Sequence, residues 1–410
     1  MDKFSRTLTL RNSIFLGLSS MIGAGLFVNI APTAKAASYS SIIGLIMASS
    51  VAFANASSSA QLARLYPETG GTYLYAKNVL GRIPSLIAGY SFIVGKSISC
   101  IAIALTLGNY LMPENPKISA ILLVVVVTLI NFFGLKKTSS VAKWFVYSVV
   151  LILGFYIFSI VTTDSFNLQI PITQGLTLEG FVLSSSIWFF AFTGYSRLAT
   201  FGEEVKNPEK IIPQAISSGL GITVLVYLSV SWVTLGVIQP TIIQNSLTPL
   251  KVAFDVSRFS EFSFLITICS TIATSSVLLA LLPGISRVLV AMGRDKNMPE
   301  IFKTIHPVRN SAYVADFSVL ILVVAGILYL NVIDAIKLSA FFILIYYSLT
   351  NLSTIKLAKD KRLFPIFYAL YGFISCLVLC VSLGLYFLHL KISFYIMLVI
   401  IYECKNNTTS

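Results

Sequence analysis

Charged side chains are scarce in these 410 residues, with Asp, Glu, Lys and Arg together making up 11%, less than half the share of an ordinary soluble domain. A water-facing surface cannot be covered from that supply, which argues against a soluble globular fold. Acids are the scarcest charges, 16 against 29 Lys and Arg. Asp164, Asp255, Glu261 and Glu300 fall at the ends of apolar runs or between them, so paired carboxylates for acid–base catalysis are missing. Two histidines, His306 and His389, and five cysteines without a CxxC spacing leave neither a metal-ligand set nor a disulfide framework. Four cysteines, Cys100, Cys269, Cys376 and Cys380, lie inside apolar runs. Cys376 and Cys380 share one helical face, where packing is the usual role of small polarizable side chains. Long polar stretches are also absent: the longest connection, about 23 residues before residue 262, is near the limit of an ordinary loop and too short for a sensor domain. No enzyme is therefore expected, and no catalytic residue, cofactor or resident metal.

What is abundant is apolar surface, 56% of residues. Apolar runs predict membrane helices over residues 12–31, 40–62, 82–112, 118–135, 141–163, 178–201, 211–238, 262–293, 313–331, 333–354, 364–388 and a short last run, 392–402. The last is about half the twenty apolar residues that a perpendicular helix needs, so it is partial, re-entrant or a cut-down helix. Lys3, Arg6 and Arg11 before the first run could mimic a cleaved signal peptide, but a glycine pair in its middle and the many later spans favour a first membrane helix. The net charge of +13 sits in short clusters between apolar runs, which reads as topology and not as a nucleic-acid surface. The clusters are the N-terminal tail, Arg64 to Arg82, Lys136 to Lys143, Lys206 with Lys210, Arg287 to Arg309, and Lys356 to Arg362. If the helices alternate, all fall on one side, which the positive-inside rule makes the cytoplasmic one, together with both termini of a multi-pass membrane protein.

Two spans carry glycine and polar groups where lipid-facing helices should be uninterrupted. One contains Met21-Ile22-Gly23-Ala24-Gly25, the other Phe190-Ala191-Phe192-Thr193-Gly194-Tyr195. They lie five helices apart, so two five-helix repeats would run in opposite directions and meet at the midplane. A break there frees backbone groups that only protein or a polar cavity can satisfy. The N–H groups of Gly23, Ala24 and Gly25 would receive a carboxylate, and carbonyls around Met21, Ile22, Phe190 and Thr193 an ammonium. Close helix packing by small residues is the plainer explanation of each glycine taken singly.

Four stretches resemble the amino acid–polyamine–organocation permeases. These are Ile22-Gly23-Ala24-Gly25-Leu26-Phe27; Tyr66-Pro67-Glu68-Thr69-Gly70-Gly71-Thr72-Tyr73; Phe189 to Tyr195 continuing through Gly202-Glu203-Glu204-Val205-Lys206-Asn207-Pro208 to Ile212-Pro213; and Ser286-Arg287 through Arg294-Asp295 to Met298-Pro299. The resemblance covers about residues 8–355. It implies an all-α membrane fold of about twelve helices, with five-plus-five inverted repeats and discontinuous helices 1 and 6 holding the amino and carboxyl groups of an amino acid. The whole chain, 1–410, would be one transporter domain, with repeats over about 12–163 and 178–354 and accessory helices over 364–402. A lysine that proton-coupled relatives place midway along helix 5 is missing here, where Ser148 or Val149 stands, and Ser196 replaces an acid after the second break.

Lys96, inside Ile93-Val94-Gly95-Lys96-Ser97-Ile98, is a candidate replacement, because an ammonium near mid-membrane costs about 3 kcal/mol on insertion scales. It would face the cavity and serve proton coupling or anion attraction; the alternative is a lysine that pairs with carbonyls or reaches water without titrating. Arg197 with Glu203 and Glu204 would form an inner gate or simply a solvated helix end. Thr271, Thr274 and Ser275 share a helix face and offer oxygens to sodium, although such hydroxyls usually bond the carbonyl one turn back. Trp188, Phe189, Phe190, Phe192 and Tyr195 would close over a side chain or pack the core. A positive Lys96 without a membrane-embedded acid favours a neutral substrate over a cationic one. The expected function is proton-coupled amino acid uptake by alternating access, with protons, amino acid and bilayer as partners. Exchange of amino acids or amines, or a sensor or channel on the same helices, are the alternatives.

Overall fold

The computed structural model describes residues 8–66, 68, 70–132, 138–195, 205–306 and 311–388. Arg197, Glu203, Glu204 and the short run 392–402 lie outside them. The described chain is helical, and its one β-type pairing is an isolated parallel bridge between Leu8 and Val205. The principal helices are α1 (Leu10–Met21), α2 (Ala24–Ala37), α3 (Ser41–Leu65), α4 (Thr72–Val79), α5 (Arg82–Leu111), α6 (Pro116–Phe132), α7 (Thr138–Val161) and α8 (Leu178–Phe192). They continue with α9 (Pro208–Val237), α10 (Pro240–Ile243), α11 (Pro249–Asp255), α12 (Phe264–Arg294), α13 (Tyr313–Tyr329), α14 (Val332–Ile355) and α15 (Ile366–Leu388).

Seven helical segments among the described residues are long and apolar enough to cross a membrane, and α6 and α13 are shorter apolar helices. Without water, a backbone must satisfy its own polar groups, which is why long apolar runs close into helices here. Local signals set their ends. Thr9, Thr177 and Asn331 accept backbone N–H groups of α1, α8 and α14 as N-caps. Pro116, Pro208 and Pro249 open α6, α9 and α11, where a missing N–H costs nothing.

The spans fall close to the apolar runs, with two differences. The first run does not end at residue 31. Helix continues through Lys35 to Ala37 and stops where Ser38 takes φ +51°, a left-handed value that an α-helix cannot continue. The sixth span leaves α-helix at Phe192 and tightens into a 3₁₀ turn over Thr193–Tyr195. The long connection after α9 is also partly ordered, as α10 and α11.

Packing follows a regular scheme. α3 lies on α8 and α1 on α9; α5 lies on α14 and α7 on α12; α6 packs on α5 and α13 on α12. α3 also meets α9, and α5 meets α12, across the middle. At one end the basic clusters are tied in. Arg64 donates to the Lys361 carbonyl at 2.9 Å, and Asp295, just past α12, accepts from Tyr73 at 2.6 Å and Lys77 at 2.8 Å on α4. Burial, then the hydrogen bond to Asp295, hold the Tyr73 phenol above its ordinary range, so it stays a donor.

Candidate functional site

Between Met21 and Ala24 the backbone leaves helix for two residues, Ile22 at ψ +89° and Gly23 at φ −154° and ψ −146°. The second break, at Thr193–Tyr195, lies against it. Close approach of the two requires glycine: a Cβ on Gly194 would collide with the Ser20 carbonyl, and one on Gly25 with the Ala191 backbone. Glycine is thus explained by backbone contact between the two breaks and not only by flexibility.

Together they border a small cleft that is open on one side. Of the ten residues expected to bind substrate, Met21, Gly23, Ala24, Gly25, Phe190, Ala191, Thr193 and Gly194 line it. Ile22 and Phe192 are not on its wall; Phe192 packs its ring 5.2 Å from that of Tyr227. Ser20, Lys96, Ser99, Ile103, Val277 and Leu281 complete the lining. Trp188, Phe189 and Tyr195 are buried in the helix interior, where Phe189 and Tyr195 pack on Tyr347.

The carbonyls freed by the breaks have side-chain donors. Lys96, only 2% exposed, donates from Nζ to the Thr193 carbonyl at 2.9 Å. The Ser20 hydroxyl lies 3.1 Å from the Gly194 carbonyl and 2.8 Å from the Gly17 carbonyl of its own helix. From α9, the Tyr227 hydroxyl lies 2.6 Å from the Met21 carbonyl and 3.1 Å from the Ala191 carbonyl. Lys96 therefore faces the cleft and also pairs with a backbone carbonyl. No acidic side chain lines the cleft among the described residues. At the other pole, α2 begins at Ala24 with N–H groups that have no acceptor one turn back, and its dipole there favours negative charge.

Sequence reasoning missed Tyr227, Ser20 and the Ser99–Ser339 pair, whose hydroxyls are 2.6 Å apart beside the cleft. Each is an ordinary small or aromatic residue in an apolar run, and only a hydroxyl at the depth of the breaks could have marked it. Tyr227→Phe is expected to slow exchange of substrate about tenfold and to lower stability by about 1–3 kcal/mol, since it strips a buried carbonyl of its donor. Counterflow in vesicles and a thermal melt measure the two.

The candidate sodium ligands stand apart from this wall. Thr271 bonds the Thr267 carbonyl at 2.8 Å and Thr274 the Ser270 carbonyl at 2.7 Å, the back-bonding usual for helix hydroxyls. Among the described residues, no group of three or more His, Cys, Asp or Glu side chains is placed to hold a metal.

Comparison with known proteins agrees with this architecture. The family model described as amino acid permease matches residues 12–408. The chain is 36% identical over 389 residues to an uncharacterized transporter of Mycobacterium tuberculosis, covering 94% of this chain and 88% of the relative. A methylthioribose transporter of Bacillus subtilis is 27% identical over 329 residues, covering 74% of this chain and 70% of the relative. A branched-chain amino acid permease of the same organism is 24% identical over 327 residues, with 74% and 70% coverage. An all-helical chain with membrane-length apolar helices, matched by that model along nearly its whole length, belongs to the amino acid permease family.

Proposed function

We propose that this chain is a secondary active transporter that takes up an amino acid with a neutral side chain across the cytoplasmic membrane, coupled to protons and working by alternating access. The observation that carries the reading is the buried Lys96 side chain, its Nζ held on the Thr193 carbonyl inside a cleft made by two broken helices. The cleft offers N–H groups at the start of α2 to a carboxylate, and carbonyls of the opposite break to an ammonium. A positive Lys96 without a facing carboxylate disfavours a second cation, because like charges a few ångströms apart repel strongly in a medium of low dielectric constant.

Alternating access follows from a five-plus-five inverted repeat, which the packing scheme supports. Let α1 with α2, α3, α5, α6 and α7 correspond to α8 with the Thr193–Tyr195 turn, α9, α12, α13 and α14. Exchanging the two sets then turns α3 on α8 into α9 on α1. It likewise turns α5 on α14 into α12 on α7, and α6 on α5 into α13 on α12; all these contacts are present. The positive-inside pattern supports a cytoplasmic position for both termini.

The test is uptake of labelled amino acids into proteoliposomes, with and without an imposed pH gradient at fixed sodium. Accumulation of a neutral amino acid that collapses with the proton gradient is expected. Transport only into preloaded vesicles would make the protein an exchanger, and no transport of any amino acid would reject the substrate class.

A further inference from the structure

Beyond the cleft, a row of buried polar side chains crosses the interior between α3, α14 and α15, where there is no lipid-side water to satisfy it. On α3 it consists of the buried Asn55, Ser58 and Gln61 and ends at the half-exposed Arg64, each three residues from the last along the helix. The Asn351 amide on α14 donates to Asn55 Oδ1 at 2.6 Å, and the Cys376 thiol on α15 lies within 3.4 Å of the Asn55 amide. One turn on, Thr354 donates to the Ser58 carbonyl at 3.5 Å. Gln61 Oε1 then accepts from the Leu363 N–H at 3.1 Å, and Arg64 reaches the Lys361 carbonyl at the basic end.

The inner end of the row touches the site. Tyr195 belongs to the same 3₁₀ turn as Thr193, the carbonyl that holds Lys96. Its ring stacks on Tyr347 at 5.1 Å, one turn before Asn351, and its phenol lies beside Asn55 and Cys376. Interhelical polar pairs explain the bonded members, since such pairs join helices in membranes. They do not explain Ser58 Oγ and Asn351 Oδ1, which are buried without a hydrogen-bond partner. Native interiors rarely leave such groups unserved, and clustered polar atoms are where water is held.

We propose that this row is the route by which the transported proton passes between Lys96 and the cytoplasmic water. The inference rests on the proton-coupled reading above. The Lys96 ammonium gives one proton to a water molecule at the Tyr195 turn, its N–H bonding electrons remaining on Nζ as a lone pair. Water beside Asn351 and Asn55, and then beside Ser58, accepts one hydrogen and releases another at each step, until hydronium leaves past Gln61 and Arg64. Of the titratable groups near Lys96, Cys100 stands one turn along its own helix. The cleft walls from α1, α2, α8 and α12 contribute no acid or base among the described residues.

The full-length protein in proteoliposomes with an entrapped pH dye tests the route. Asn351→Leu and Ser58→Val each replace a place for water by hydrocarbon outside the cleft. The expected result is amino acid counterflow within about twofold of the parent, with substrate-driven proton flux reduced about tenfold or more in both variants. If either variant fails to fold, as absent counterflow would show, the other decides. Undiminished proton flux in a variant that still exchanges substrate overturns the route alone. A parent protein that exchanges amino acid without moving protons overturns the coupling on which the route depends.

Discussion

Lys96→Met should abolish pH-driven accumulation, lowering it about a hundredfold, while gradient-free exchange of substrate persists; that factor corresponds to about 2.7 kcal/mol. Methionine matches the length of the lysine stem and removes only the ammonium. The Thr193 carbonyl then loses its side-chain donor, at a cost of about 1–3 kcal/mol, which is within the stability of a typical domain. Folding should survive, so the readout separates chemistry from collapse. In the parent, uptake is expected to rise as the outside is acidified; in the variant it should be flat with pH. A variant that retains full pH-dependent accumulation would remove Lys96 from the coupling mechanism.

Gly194→Ala is expected to stop transport almost completely, about a hundredfold or more in counterflow, and to lower the melting temperature. The added methyl meets the Ser20 carbonyl and the Met21 amide nitrogen. These are backbone atoms, so no change of rotamer relieves the collision, and the two breaks must separate. Overpacking of that kind costs about 1–3 kcal/mol, occasionally more. Gly154→Ala and Gly221→Ala provide the comparison, because a Cβ at either position meets nothing within 4 Å. If all three variants transport alike, contact between the breaks is not what the site requires.

Much of the fold was legible because lipid imposes a simple rule: a long apolar run without partners for its backbone must be a helix. The breaks at Gly23 and at Thr193–Tyr195 were legible for the converse reason, as glycine and threonine interrupt such runs. The eight cleft residues on these two segments follow from that logic. Lys96 announced itself by its cost. Tyr227, Ser20 and the Asn55–Asn351 pair did not, since their roles depend on which helices meet, and hydroxyls and amides in an apolar run have no periodicity to betray a partner some 200 or 300 residues away. The first span was ended at residue 31, whereas the helix runs on to Ala37 and stops by backbone geometry at Ser38. The proposed inner gate of Arg197, Glu203 and Glu204 falls outside the described residues.

Tyr227 brings one hydrogen to two oxygens. Its hydroxyl sits 2.6 Å from Met21 and 3.1 Å from Ala191, and a single O–H cannot point fully at both. The nearer oxygen holds it, leaving the Ala191 carbonyl the less satisfied of the pair and the readier to accept from an incoming donor. A shift of a few tenths of an ångström between α1 and α8 would reverse that ranking. The phenol thus makes the two broken helices rivals for the same hydrogen, so the polarity that one segment presents depends on where the other stands.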